Sequence, residues 1–363
     1  MGRVAVIDIG TVTCRLGVAD VAGGRVERCA KTSTICNLGE GVAQTGRLSE
    51  AACERVVTCV DRALANARAA SAPVACCTLT SAARDASNAQ VLLDALRSRG
   101  VVPQVIPGEV EGSLTFLGVA QDFRGERIMV ADNGGGSTEV AVGMLTAPAA
   151  SSGASSGAQS GAEPVGTTGV QPDAPSAPSS AAGSLQLEAV RSLDVGCRRV
   201  TDLFLSREDP PAALSLDEAR AFCRDAFERG LPDAARGERA PGRLVCVGGT
   251  VTTLVAIDAG LSPYDPSFVH LHELTLAEVD ALVGRLGSLT LERRREVVGL
   301  EPKRAGVIVA GAVCVGELMR ACGVERLTVS ESDLLFGLSL VTDATANGLS
   351  SPVGWRPELF ALR

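Results

Sequence analysis

The chain has 363 residues, 46 % of them hydrophobic and 21 % charged, with a formal net charge of −8. At roughly 100–200 residues per domain, that length favours two domains over one. Aromatic residues make up only 3 %, with one Trp and one Tyr, which argues against a base-stacking platform; the negative charge argues against a general nucleic-acid or anionic-membrane binder.

Arg3–Ile9 reads as a buried strand, because its apolar run is continuous. Arg15–Val21 reads as its antiparallel partner after a turn at Gly10-Thr11. Ser49 opens a helical pattern over Glu50–Ala70. Val74–Leu79 is a strand, and Ala89–Arg99 a helix that stops at Gly100. Gln104–Ile106 is a short strand before a helix at Glu109–Ala120. Ile128–Ala131 is a strand that ends at Asp132. Glu139–Gly143 and Leu185–Val190 read as strands on either side of a low-complexity stretch. From Thr146 to Ser184, 33 of 39 residues are Ala, Ser, Gly, Pro or Thr. That composition cannot bury enough apolar surface to offset its ordering entropy. A hairpin with an inflated, disordered loop is expected, since long surface loops add little closure entropy. Arg243–Val247 is a strand running into Gly248-Gly249-Thr250, with a helix after it. Arg304–Cys322 is a helix and Arg326–Ser330 a last strand. Strands alternating with helices indicate an α/β fold.

The twelve cysteines include no CxxC pair, and His270 and His272 are the only histidines. A zinc site is not indicated, and core thiols in a reducing compartment are expected. The N-terminal run reaches Asp8 too soon for a signal-peptide core. The longest apolar run, Ala305 to Gly316, is shorter than the roughly 20 residues of a membrane helix. The expected location is cytoplasmic.

Two units repeat in kind. Val4-Ala5-Val6-Ile7-Asp8-Ile9-Gly10 and Ile128-Met129-Val130-Ala131-Asp132-Asn133-Gly134-Gly135-Gly136 are each an apolar strand, an Asp and then glycine. Such a strand puts a carboxylate at its end. Glycine lets the following turn approach a phosphate and aim amide N–H groups at it. The Asp can hold a divalent cation directly or through water. Two such turns facing one cleft would clamp a phosphate. A duplicated domain is expected.

These residues, with others downstream, resemble the exopolyphosphatase/guanosine-pentaphosphate phosphatase (Ppx/GppA) family. The resemblance runs through Val4 to Val18, Thr80-Ser81-Ala82-Ala83-Arg84-Asp85, Ile106-Pro107-Gly108-Glu109-Val110-Glu111-Gly112 and Asp132 to Glu139. It continues through Ser192 to Thr201, Val247 to Thr253, Pro302-Lys303-Arg304-Ala305 and Val329-Ser330-Glu331. It implies an α/β chain of two similar ribonuclease-H-like domains, the duplicated actin/sugar-kinase arrangement, around a central cleft. The expected division is 1–125 and 126–345, with 146–184 inserted and 346–363 a C-terminal tail; the short, two-domain form is implied.

The resemblance further implies a hydrolase of phosphoanhydride bonds. Glu111 would be the base that activates water, with Arg84 and Asp132 beside it. Gly10, Thr11, Arg15, Gly134, Gly135, Gly136, Ser137, Thr138, Gly248, Gly249, Thr250 and Arg199 would contact phosphates. Asp132, Glu139 and Asp8 would hold Mg²⁺ or another divalent cation. Lys303, Arg304 and Arg198 are further cations that could track a long anion. Arg293-Arg294-Arg295 reads instead as a solvated helix face. Polyphosphate is the expected substrate and guanosine pentaphosphate the alternative, although nothing marks a guanine pocket. A non-catalytic polyphosphate or alarmone binder and a kinase of the same superfamily are further readings. No nucleic-acid or membrane partner is expected, and a homodimer is left open.

The sequence departs from the family pattern at several positions. Val12-Thr13 stands where Asn-Ser is usual, Asn37 and Leu335 replace arginines, Asn133 replaces Ile, and Gly112 replaces Ala. Hydrolytic capacity is expected to survive these changes, with weaker affinity for a long polyanion.

Overall fold

The computed structural model describes residues 2–146 and 183–362. Most of the expected 146–184 excursion therefore lies outside the described residues. Two six-stranded sheets, one in each half, organise the chain.

The first sheet begins with β1 (Gly2–Ile9), β2 (Thr13–Ala22) and β3 (Arg25–Ile35), an antiparallel meander. Helix α1 (Glu50–Ala69) follows, its N-cap Ser49 accepting from the Ala52 amide. Strand β4 (Val74–Leu79) then pairs parallel to β1. Two short helices, α2 (Ser81–Asp85) and α3 (Ala89–Arg97), lead to β5 (Pro103–Val105), parallel to β4. Ala5, Ile7 and Ile9 face α1, while Val4 and Val6 face the opposite layer. That alternation is the period-two pattern of a sheet covered on both sides.

Helix α4 (Gly108–Val119) joins the halves. The second sheet then repeats the first. Strands β6 (Arg127–Asn133), β7 (Thr138–Leu145) and β8 (Leu185–Leu193) form a meander. Leu145 pairs with Leu185 and the Thr146 amide donates to the Ser184 carbonyl at 3.0 Å, so the hairpin expected around the insert is present. After α5 (Ala213–Gly230), β9 (Leu244–Val247) pairs parallel to β6. Then come α6 (Gly249–Asp258), β10 (Glu273–Thr275), α7 (Leu276–Gly287), α8 (Ile308–Cys322) and β11 (Arg326–Val329), with β11 parallel to β9. Helix α8 begins at Ile308, not at the expected Arg304; residues 302–304 form a separate 3₁₀ turn.

The closing helix α9 (Leu334–Ala346) belongs by position to the expected second half, yet its Leu334, Leu335, Leu338 and Val341 pack with Val4 and Val6 of β1. Nor does the end of the chain hang loose. Strand β12 (Phe360–Ala361) pairs antiparallel to β4.

Helix α4 is buried on nearly every side. Leu114 and Leu117 join the core of the first half, while Phe116, Val119 and Ala120 join that of the second. It crosses α9 where a Cβ on Gly337 would strike the Leu114 carbonyl and one on Gly118 the Asp333 carbonyl. Glycine is what permits the two backbones to touch. Both helices of this crossing therefore sit between the sheets, and the first turn of α4 opens into the cleft.

All twelve cysteines are free and nine are buried, which fits core thiols. Arg294 departs from the solvated-face reading: it is buried and donates to the Leu289 and Ala305 carbonyls and to Asp209. No helix among the described residues is long and apolar enough to cross a membrane.

Candidate active site

Each half presents one hairpin turn to the cleft. In the first, Asp8 faces Arg15 across β1 and β2, and the Gly10 amide closes the turn onto the Thr13 carbonyl at 2.8 Å. In the second, Asp132 faces Glu139 across β6 and β7, and the Gly134 amide closes onto the Ser137 carbonyl at 3.0 Å. A Cβ on Gly135 would lie 2.7 Å from Val12 Cγ2 and 2.8 Å from Thr11 Cβ. The glycine run is thus what lets the two turns meet.

Between them lies a cavity of about 60 Å³ lined by Asp8, Gly10 to Thr13, Glu111, Asp132 to Ser137, Gly248 to Thr250 and Arg304, among others. That volume holds a few waters or one small anion. Among the described residues, the amides of Gly135, Gly136 and Ser137 have no protein acceptor, whereas the Gly134 and Gly135 carbonyls are held by the Cys197 and Arg198 amides. Amide donors are left for an anion. Gly248, at φ +97°, turns the chain from β9 into α6, and the N-terminus of α6 opens on the same cavity. An α-helix presents unpaired N–H groups and positive potential there.

Glu111 lies on the first turn of α4. Its Oε2 accepts from Arg84 Nη1 at 2.7 Å; the same nitrogen reaches the Ile106 carbonyl at 2.9 Å. Arg84 Nη2 stands 3.6 Å from Glu139 Oε1, which also accepts from the Ser192 hydroxyl at 2.7 Å. One guanidinium therefore serves two buried carboxylates. Burial and the neighbouring Glu139 charge push Glu111 well above the usual carboxylate range, against the pull of Arg84. Burial and Asp132 likewise raise Glu139. Asp132 is pushed up to about 6, by burial first and then by Asp333 and Asp8. Gly112 brings α4 close to these groups; a Cβ there would meet Val190 Cγ1 at 2.8 Å and Glu139 Cβ at 3.3 Å.

The expected phosphate contacts divide. Gly10, Thr11, Arg15, Gly134, Gly135, Gly136, Ser137, Gly248, Gly249 and Thr250 line the cavity. Arg15, however, is already bound to Asp8 at 2.7 Å and to Asp333 at 3.1 Å. Thr138 turns away: its hydroxyl donates to the Val195 carbonyl at 2.6 Å and accepts from Asn133. Arg199 lies outside the cavity, on the Gly136 carbonyl and Asp85. Arg304, which the sequence placed only among cations that could track a long anion, lines the cavity itself. It is partly buried against the Gly248-Gly249 turn, where a Cβ on Gly249 would strike its guanidinium. Burial pulls it below its ordinary value, and it has no carboxylate in ion-pair range among the described residues.

The departures also have physical settings. Asn37, at φ 48°, accepts from Arg198 at 3.0 Å. Leu335 is buried in the core behind β1, and Val12 packs with Ile35, Cys197 and Val307.

The carboxylates fit a small divalent cation. Mg²⁺ takes one or two carboxylates and completes its shell with water and phosphate oxygens. Asp132 and Glu139, paired across the strands, place two buried carboxylates side by side, with Arg84 3.6 Å from Glu139. Asp8 fits less well, because Arg15 occupies it. No cluster of three or more metal-ligating side chains exists among the described residues, which leaves substrate and water to supply the rest.

Known proteins share this architecture. The Ppx/GppA phosphatase family model matches residues 17–167 and 179–340. Exopolyphosphatase 2 of Mycobacterium tuberculosis is 31 % identical over 358 residues, covering 93 % of this chain and 98 % of that protein. The crystal structure of the Aquifex aeolicus member of the Ppx/GppA family matches at a TM-score of 0.69 and 26 % identity, covering 95 % of this chain and 99 % of that one. An exopolyphosphatase from Cytophaga hutchinsonii matches at a TM-score of 0.72 and 22 % identity, over 97 % of this chain and 100 % of that one, and speaks to the fold alone.

Proposed function

We propose that this chain, which belongs to the Ppx/GppA phosphatase family, is an exopolyphosphatase that removes terminal phosphate from inorganic polyphosphate. The observation that carries the reading is Glu111, a buried carboxylate held by Arg84 at the wall of a small cavity rich in free amides. The terminal phosphoryl group lies among the amides of the two glycine turns and the N-terminus of α6. Water attacks phosphorus in line with the leaving oxygen. As the new P–O bond forms, Glu111 takes the water proton, and the shortened chain departs with the bridging oxygen. The high proton affinity of Glu111 makes it a capable base once deprotonated. Arg84 and Arg304 neutralise charge that builds on the equatorial oxygens. Mg²⁺ or another divalent cation, held by Asp132 and Glu139, supplies further neutralisation and orients the phosphate when bound.

A second reading, a guanosine pentaphosphate 5′-phosphohydrolase, draws support from one feature. A chamber of about 570 Å³ adjoins the cavity and is walled in part by Leu261, Pro263, Tyr264 and Leu300. An organic leaving group fits such a wall, and Tyr264 is the chain's only tyrosine.

Phosphate release from polyphosphate and from guanosine pentaphosphate, with Mg²⁺, tests both. Wild type should release phosphate, and Glu111→Gln should be slower by about 10²–10⁴-fold. Equal rates would remove Glu111 from the role. Release from the guanosine substrate alone would establish the second reading.

A further inference from the structure

We propose that Glu331 and Asp333 act as a carboxylate gate that restricts the site to short polyphosphates. The proposal rests on the exopolyphosphatase reading and concerns what lies beyond the scissile bond.

One rim of the cleft is shut by bonds between the halves. Arg199 reaches Asp85 at 2.5 Å and Arg198 reaches Asn37 at 3.0 Å. The Gly41 amide donates to Asp202 at 2.9 Å, and Gln44 donates to the Asp202 carbonyl at 2.5 Å. The opposite rim is open. Thr13, Arg15, Gly248, Gly249 and Arg304 line both the small cavity and the chamber of about 570 Å³, so the two are continuous. The rest of a bound chain must lie in this chamber.

The chamber is poorly made for a long polyanion. Its three cations, Arg15, Lys31 and Arg304, are matched by three carboxylates, Glu301, Glu331 and Asp333. Two of the cations are already committed. Arg15 is shared by Asp8 and Asp333. Lys31 Nζ lies 2.7 Å from Glu331 and 3.9 Å from Asp333, and donates to the Glu331 carbonyl. The Tyr264 hydroxyl holds the other Glu331 oxygen. Of the three cations only Arg304, at the inner end, has no carboxylate in ion-pair range among the described residues. The first phosphates after the scissile bond meet Arg304. Later ones meet carboxylates and the apolar Leu261 and Pro263. Like charges brought together oppose binding, and each added phosphate adds to that opposition.

The test compares kcat/KM, per chain end, for tripolyphosphate and for long-chain polyphosphate in wild type, Glu331→Gln and Asp333→Asn, with Mg²⁺ in excess. Asparagine is itself a good N-cap, so Asp333→Asn keeps the bond from its side chain to the Leu335 amide that starts α9 while removing the charge. Wild type should favour tripolyphosphate by about tenfold or more, and each variant should shift the ratio towards long chains by a further factor of about ten. Long chains used as well as tripolyphosphate by wild type, or ratios unmoved in both variants, would overturn the gate. If wild type hydrolyses neither substrate, the exopolyphosphatase reading fails on its own. Calorimetric binding of the same two polyphosphates then decides the gate: a preference for the short one that Glu331→Gln erases upholds it, and equal or absent binding rejects it.

Discussion

The hairpin Asp8-to-Arg15 and the hairpin Asp132-to-Glu139 have the same length, the same register across two strands and the same glycine-closed turn. They differ in the residue opposite the aspartate. In the first it is an arginine, and the carboxylate is neutralised at 2.7 Å. In the second it is a glutamate, so two buried carboxylates face one another; burial raises both, as it raises Asp8, where Arg15 opposes the shift. Duplication built one scaffold twice. One copy sets its aspartate on an arginine; the other sets two carboxylates side by side, the arrangement proposed above for a divalent cation.

The contrast can be broken most severely at Asp132. Asp132→Asn keeps the shape but removes a charge from the acidic copy. Phosphate release at saturating divalent cation should fall by about 10³-fold, with a weaker dependence on that cation. An unchanged rate would mean that the acidic copy has no catalytic part.

On the neutralised copy the main loss should be stability. Arg15→Met strands Asp8, a buried carboxylate, and breaking a pair of this kind costs about 3 kcal/mol. Thermal unfolding should therefore move down by several degrees, and Arg15→Met with Asp8→Asn should recover most of the loss. No recovery in the double variant would show that Arg15 supports the fold through Asp333 instead.

A pH dependence of at most similar size sharpens the comparison. Asp132 has a folded value of about 6 against an ordinary 3.8, so the folded state binds the proton more tightly than the unfolded state. Its contribution is fully present below the unfolded value and is lost as pH rises towards 6. Over that range the metal-free protein should lose up to about 3 kcal/mol of stability from this group. Asp132→Asn should flatten the pH dependence of the unfolding midpoint between pH 4 and 6, as measured in chelator. A curve of the same slope in the variant would assign the dependence to other carboxylates.

Much of this was legible in the residues. Strands β1, β4, β6 and β9 are short apolar runs ending at polar or glycine residues, and period and punctuation suffice to find them. The Asp-to-glycine sequences at Asp8 and Asp132 marked both turns. Strand β3 escapes the pattern because exposed Arg25, Glu27 and Arg28 and half-buried Lys31 mask its alternation. Helix α9 was missed because Leu334-Leu335-Phe336-Gly337-Leu338 is apolar without a stripe; it is buried on most sides, and burial all round erases the helical period.

The amino-acid sequence by itself determined the two-fold α/β plan, the glycine turns and the identity of the carboxylates, because these depend on local pattern and residue type. Only the tertiary structure decided how those charges are shared. Arg84 serves both Glu111 and Glu139, Arg15 is spent on Asp8 and Asp333, and Arg304 is left open to the cleft. Apart from Asp8 and Arg15, partners across one hairpin, these pairings join residues far apart in the chain. A charge's strength in a buried site depends on its distance to partners and to water, and no spacing along the chain encodes either one.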